Sequence, residues 1–153
     1  MESLHPRVRW LWAARVAVGA TVLVGIGLAV DRLVLDVPTA LLAGGWLALA
    51  MYGIVHAVLA HRIWRFDLQE DALFLVRGVL TRTDTSVPYV RVQHVDTTRG
   101  PVERSVGLAS VVVYTAGSRG ADITIPGLRP DRATELRERL RDLAIESEAT
   151  DAV

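Results

Sequence analysis

From Ala40 to Ala60 the chain reads ALLAGGWLALAMYGIVHAVLA, without one aspartate, glutamate, lysine or arginine. A helix of about 20 apolar residues crosses the roughly 30 Å hydrocarbon core of a bilayer. A helix at a protein surface carries a polar face, and this stretch has none, so its expected surroundings are lipid. Val16–Val30 is a second uncharged stretch. It reaches spanning length when the preceding WLWAA is included, which brings in Arg15. An arginine near a helix end extends its guanidinium to the headgroups and avoids the penalty of about 2.5–3.5 kcal/mol at mid-bilayer. A cleaved signal peptide is the competing reading of this stretch, but no strong small-residue cleavage site precedes the second span.

Asp31–Thr39 joins the two spans, so they are expected as a hairpin. Arg7, Arg9 and Arg15 precede it and Arg62 and Arg65 follow it, whereas the connector holds only Arg32 beside two aspartates. The positive-inside rule then puts both termini in the cytoplasm. Trp10, Trp12 and Trp64 fall at the same inner interface, where aromatic rings favour the headgroup layer. Small residues recur every four positions at Ala17, Thr21, Gly25 and Ala29, and again at Ala40, Gly44 and Ala48, with Gly45, Gly53 and Ala57 in an adjacent row. Such rows let helix backbones approach closely in lipid, either within the hairpin or between copies. His56 lies inside the second span and has no intramembrane carboxylate to pair with.

Beyond Ala60 the pattern becomes that of a small soluble domain. RIWRFDLQEDALFLVRGVLTRTDTSVP reads as three strands, with QED and RG as the turn signals. Val90, Val92 and Val95 carry the next strand, and its alternation slips near Gln93–His94, which suggests a bulge or an irregular entry. PVERSVG fits one helical turn. LASVVVYT and ADITIPG follow as strands, separated by AGSRG. Pro130 and Asp131 open a final helix. Ala133, Leu136, Leu140, Leu143 and Ala144 give that helix an apolar stripe to bury against the sheet. The fold class is therefore α+β, a membrane hairpin followed by an antiparallel sheet capped by a helix.

The stretch VPYVRVQHVDTTRGPVERSVGLASVVVYTAG carries Pro88, Arg91, Gln93, Arg104, Gly107, Leu108, Thr115 and Gly117 in order. It resembles the central signature of the second bacterial pleckstrin-homology-like domain family, that of YdbS-like membrane proteins. The order of parts matches as well: an N-terminal LHPR, two spans, one such domain and a last helix. The resemblance covers nearly the whole chain and implies a pleckstrin-homology-like curled sheet capped by that helix. It implies no particular activity, and fold alone does not supply one. The division it suggests is residues 1–62 for the N-terminal segment and hairpin, with spans at about 10–30 and 40–60. Residues 63–145 would form the PH-like domain, and 146–153 a flexible acidic tail.

Little in the sequence points to catalysis. There is no nucleophile elbow, no phosphate-binding glycine loop with its lysine and no HExxH. Cysteine is absent, which removes thiolate chemistry and disulfides. His94 and Asp96 would share a strand face, but a third metal ligand is missing nearby. No cofactor and no metal are expected. Lysine is also absent, so arginine supplies every fixed cation, and 17 basic residues balance 17 acidic ones. That balance gives no bulk support for a nucleic-acid partner. Arg91, Gln93, Arg99 and Arg104, with Arg119 in the AGSRG loop, form the candidate interaction surface. The competing reading is internal: Arg91 and Gln93 bridge strands and Arg104 pairs with Glu103 or a nearby acid. The expected function is a non-catalytic module at the inner membrane face, holding another membrane protein or a second copy. Recognition of anionic lipid headgroups is the alternative, weakened by the acids among the arginines.

Overall fold

The computed structural model describes residues 2–34, 38–116 and 122–151. A short strand, β1 (Glu2–Ser3), precedes two long helices, α1 (Arg7–Val34) and α2 (Thr39–Ile63). Then come β2 (Arg65–Leu68), β3 (Ala72–Arg77) and β4 (Thr83–Pro88). A single 3-10 turn, Tyr89–Arg91, leads into β5 (Val92–Thr98) and the short helix α3 (Pro101–Ser105). β6 (Ala109–Thr115), β7 (Ile123–Leu128) and α4 (Pro130–Asp151) complete the order. The chain forms two compact units, Arg9–Arg62 and the combination of residues 1–8 with 63–153.

In the most apolar 18 residues of Arg7–Val30 and of Ala40–Ile63, only 6% and 11% of the residues are buried. A core helix of a soluble protein would be mostly covered. Val18, Leu23, Ile26, Leu41, Leu47 and Met51 are all exposed, which is tolerable only in an apolar solvent. These helices are the two membrane spans. α1 runs past Asp31 to Val34, so the joining segment is shorter than expected; residues 35–37 lie outside the described residues. Trp10 is exposed, with the Arg9 guanidinium 5.4 Å from its ring centre. His56 stacks at a tilt on Tyr52, 6.0 Å between ring centres.

The helices meet along a seam at the Gly53 and Ala57 row of the second span and at Thr21 of the first, whereas several other small positions face outward. A Cβ added at Gly53 would overlap the Val16 side chain. Thr21 Oγ1 accepts from the Trp46 indole N–H at 3.4 Å and itself donates to the Ala17 carbonyl at 2.9 Å. Gly27 faces Leu42, and Ala20 and Ala57 are buried. Thr21 therefore belongs to the seam, and Ala17 is half-buried beside it. Gly25 and Gly44 have open space where a side chain would be, and Ala29, Ala40 and Ala48 are exposed. The sequence offered small residues on several helix faces, and the large side chains of Val16 and Trp46 decided which face was used.

In the second unit, strands order β1-β2-β3-β4 in one sheet and β5-β6-β7 in the other, all antiparallel. The register of β5 on β6 shifts between Val92 and His94, the expected bulge. Phe66, Leu73, Leu75, Val111, Val113 and Ile125 fill the core. α4 presses Ala133, Leu136 and Leu140 into it, all fully buried. Leu143 and Ala144, expected on the same stripe, are only half-buried. α4 also continues through the acidic segment to Asp151, where an open tail was expected. Glu and Ala are good helix formers there, and Ser147 Oγ donates to the Ala144 carbonyl at 2.8 Å.

Residues 1–8, grouped with the hairpin in the sequence, pack in the sheet unit. Glu2 pairs with Phe66 and Ser3 with Arg65. Both Glu2 carboxylate oxygens accept from Arg132, at 2.9 and 2.6 Å. That pairing, helped by Glu135, holds the guanidinium proton more tightly than usual. Leu4 is buried. The His5 N–H donates to the Gly127 carbonyl at 2.9 Å, and Val8 lies where a Gly127 side chain would be. Gly127 also has a φ of +67°, so both space and backbone require glycine there. Trp64, expected in the headgroup layer, is instead only 8% exposed and packs edge-on to Phe66 at 6.2 Å.

The seam makes a prediction that separates two glycines. Cysteines at Gly27 and Leu42, in this cysteine-free chain, should cross-link across the hairpin. Gly53→Leu should suppress that cross-link by forcing the helices apart, whereas Gly25→Leu should leave it intact. Equal cross-linking in both variants would contradict the seam.

Candidate interaction surface

Among the described residues β5 is an edge strand, paired only with β6. Every second N–H and C=O of such a strand points away from its sheet. α4 packs beside β5, and together they line an open groove of about 690 Å³. Val95, Ala144 and Ile145 give it apolar surface, and Gln93, Arg137 and Arg141 give it polar groups. Ile145 is 56% exposed, unusual for a large aliphatic side chain on a helix that packs into a core. Arg137 lies 3.5 Å from Glu138. Arg141 makes no hydrogen bond or ion pair with a described residue. Arg137 and Arg141 are four apart, a spacing legible in the sequence. Nothing local marked the groove itself, because its other wall comes from a strand more than forty residues earlier.

The candidate residues do not form one surface. Arg91 ends the 3-10 turn and Gln93 sits at the bulge, both at the start of β5. Arg99 follows β5, and Arg104 is on α3. Five strand residues, 94–98, lie between Gln93 and Arg99, a separation of about 20 Å over six steps at 3.3 Å each. Arg119 lies outside the described residues. Arg91, Gln93, Arg99 and Arg104 are all exposed, and no side-chain hydrogen bond or ion pair joins them to a described residue.

Glu103, offered above as a partner for Arg104, is occupied elsewhere. One oxygen accepts from the Gly100 N–H at 2.9 Å, capping α3, and the other from the Ser110 hydroxyl at 2.6 Å. Ser110 is 4% exposed, so this contact ties the short helix to a buried position of β6. The helix closes at Gly107, φ +68°. The Leu108 N–H returns to the Glu103 carbonyl at 2.8 Å and the Gly107 N–H to that of Arg104 at 3.2 Å. That pair of bonds is a Schellman motif, which favours glycine at its left-handed residue. Leu108 then enters the core. Glu103, Gly107 and Leu108 thus set a corner of the fold.

His94 and Asp96 do share a face. The His94 Nε2 is 2.8 Å from Asp96 Oδ1, both exposed, and the His94 ring tilts against Tyr114 across the sheet. No group of three metal-ligating side chains occurs among the described residues. Tyr89 is buried, and its hydroxyl donates to the Gln69 carbonyl at 2.9 Å. Burial pushes its phenol up, partly opposed by Arg139, so it remains a protonated donor at neutral pH.

Two sheets closed by a C-terminal helix, fed by a pair of membrane spans, define a membrane protein with a pleckstrin-homology-like domain. The family model for the bacterial PH domain matches residues 9–144, and the chain belongs to that family. It is 37% identical over 84 residues to the UPF0699 transmembrane protein YdbS of Bacillus subtilis (strain 168). That match takes in 55% of this chain and 51% of the relative, so the chain spans about half the length of the curated relative it matches. No solved structure matches it.

Glu103 and Arg104 are adjacent yet should behave oppositely. Glu103→Ala leaves the Ser110 hydroxyl buried without its acceptor and should cost about 1–3 kcal/mol. Arg104→Ala removes an exposed, unpaired side chain and should stay within about 0.5 kcal/mol. Unfolding midpoints of the full chain in mild detergent check both, and a larger loss for Arg104→Ala would refute the assignment.

Proposed function

We propose that this chain is a non-catalytic adaptor at the cytoplasmic face of the membrane, whose PH-like domain holds another membrane protein or a second copy of itself. The observation that carries this reading is the groove beside β5. It combines a strand edge with outward backbone groups, an exposed Ile145 and an uncommitted Arg141. An extended segment of a partner pairs with such an edge through its backbone and gains specificity from alternate side chains. Only Trp64 separates α2 from β2, so the domain stays close to the bilayer. Tethering of that kind raises the effective concentration of any partner in the same membrane. The dispersal of Arg91, Arg99 and Arg104 disfavours the lipid-headgroup reading, which needs convergent cations around one phosphate.

Two experiments test the proposal. A photo-crosslinker at Gln93 in the full chain should capture protein, and Arg141→Glu should remove the product. The same crosslinker at Thr124, exposed on β7, should capture none. Capture of lipid alone at Gln93 would overturn the reading in favour of headgroup recognition. For the orientation, cysteine at Thr39 should react with an impermeant reagent in intact cells and cysteine at Gln93 should not. The arginines flanking the hairpin support that sense, and the opposite labelling would place the domain outside.

A further inference from the structure

Leu80 is 85% exposed, the most exposed large hydrophobic side chain among the described residues. It sits in the loop between β3 and β4, after Arg77 and before Arg82. Arg77 makes no hydrogen bond or ion pair with a described residue. Arg82 reaches only Asp84, at 3.2 Å in an exposed pair, which competes weakly with other anions. A single exposed leucine is ordinary at a protein surface; flanked by cations, this one takes its meaning from a place in the fold.

The register within the four-stranded sheet supplies one. β1 ends at Ser3 opposite Arg65, where β2 begins. Arg65 lies opposite Val76, and Arg77 opposite Thr83. One end of the sheet therefore carries Ser3, Arg65, the end of β3 and the start of β4. The chain leaves β1 at Ser3, packs Leu4–Val8 within the sheet unit before the first span continues, and arrives from the second span just before Arg65. The loop bearing Leu80 turns at that same end. Neighbouring strands are about 4.8 Å apart, so the loop lies one or two strand spacings, about 5–10 Å, to the side of Arg65. The turn between β2 and β3, with Glu70, belongs to the opposite end. Arg65, like Arg77, is exposed and without a partner among the described residues.

We infer that the β3–β4 loop is a third membrane contact: Leu80 enters the boundary between headgroups and acyl chains, while Arg77 and Arg82 meet lipid phosphates. The headgroup layer is about 5–8 Å thick on each side of the hydrocarbon, a depth that a loop tip can enter. Side chains of this kind, an aliphatic tip flanked by arginines, suit such an interface. The contact is continuous with the membrane in which the two spans already sit. It would fix the tilt of the sheet on the bilayer, because two covalent connections at one sheet end leave rotation about them free. The inference does not depend on which partner the β5 groove takes.

The chain has no cysteine, so single spin labels test the contact in the full-length protein. The protein is reconstituted into vesicles of phosphatidylcholine with a minority of phosphatidylglycerol. A label at Leu80→Cys should collide readily with membrane-dissolved oxygen and lose most of its collisions with an aqueous nickel chelate. A label at Glu70→Cys should remain fully open to the chelate. Because the label itself is apolar, a second arm places it at Thr81→Cys. There, Leu80→Asp should restore chelate access. Equal chelate access at positions 80 and 70 would overturn the inference. So would a label at Thr81 that stays shielded after Leu80→Asp.

Discussion

Burial of Leu4 holds the first residues of the chain against the sheets, and the architecture depends on that attachment. Full removal of a leucine from water contributes about 1.5–3 kcal/mol, and Leu4 is 1% exposed. The fork between Glu2 and Arg132 is more conspicuous, but its side chains are 39% and 34% exposed. A pair so open to solvent contributes about 1 kcal/mol or less. Apolar burial therefore anchors the segment, and the fork fixes its register beside α4. With Glu2 and Ser3 paired to β2, the spans are an insertion between two neighbouring strands of one sheet. A membrane hairpin with both ends built into the same sheet is a two-point attachment, in contrast to a single flexible leash.

The signature stretch divides into residues that make the fold and residues the fold leaves free. Gly107, Leu108 and Glu103 turn the chain from α3 into β6, through a left-handed glycine, a buried leucine and a carboxylate held by Gly100 and Ser110. Arg91, Gln93 and Arg104 contribute nothing comparable, since their side chains face water without described partners. Exposed arginines with no internal task remain available to a partner, whereas Arg132 is already engaged by two carboxylates. The groove beside β5 takes its polar groups from β5 (His94, Asp96) and α4 (Arg137, Arg141), and only Gln93 of the candidate set borders it.

Much was legible because the relevant signals are local. Uninterrupted apolar length identified the second span, and apolar length interrupted only by Arg15 near its end identified the first. QED and RG marked the turns around β3, the slip at Gln93–His94 marked the bulge, and Pro130–Asp131 marked the start of α4. Each depends on the residues within a few positions of it. The last helix was legible in its first three turns but not in its extent, since Leu143 and Ala144 keep the spacing of the stripe while lying beyond full cover.

The sequence by itself determined a membrane hairpin, a strand-rich domain and a closing helix, because hydropathy and periodicity are properties of consecutive residues. Only the tertiary structure decided that Glu2–Ser3 is a strand, that Trp64 is core and that Gly53 rather than Gly25 meets the other span. Glu2 and Arg132 are 130 positions apart, and no local pattern announces such a contact. Two residues of strand form only where a partner edge already exists. A tryptophan after a span suits headgroups or a protein core equally well until Phe66 is placed beside it. Small residues occupy several faces of both spans, and the choice among them was made by the bulk of Val16 and Trp46 on the facing helix.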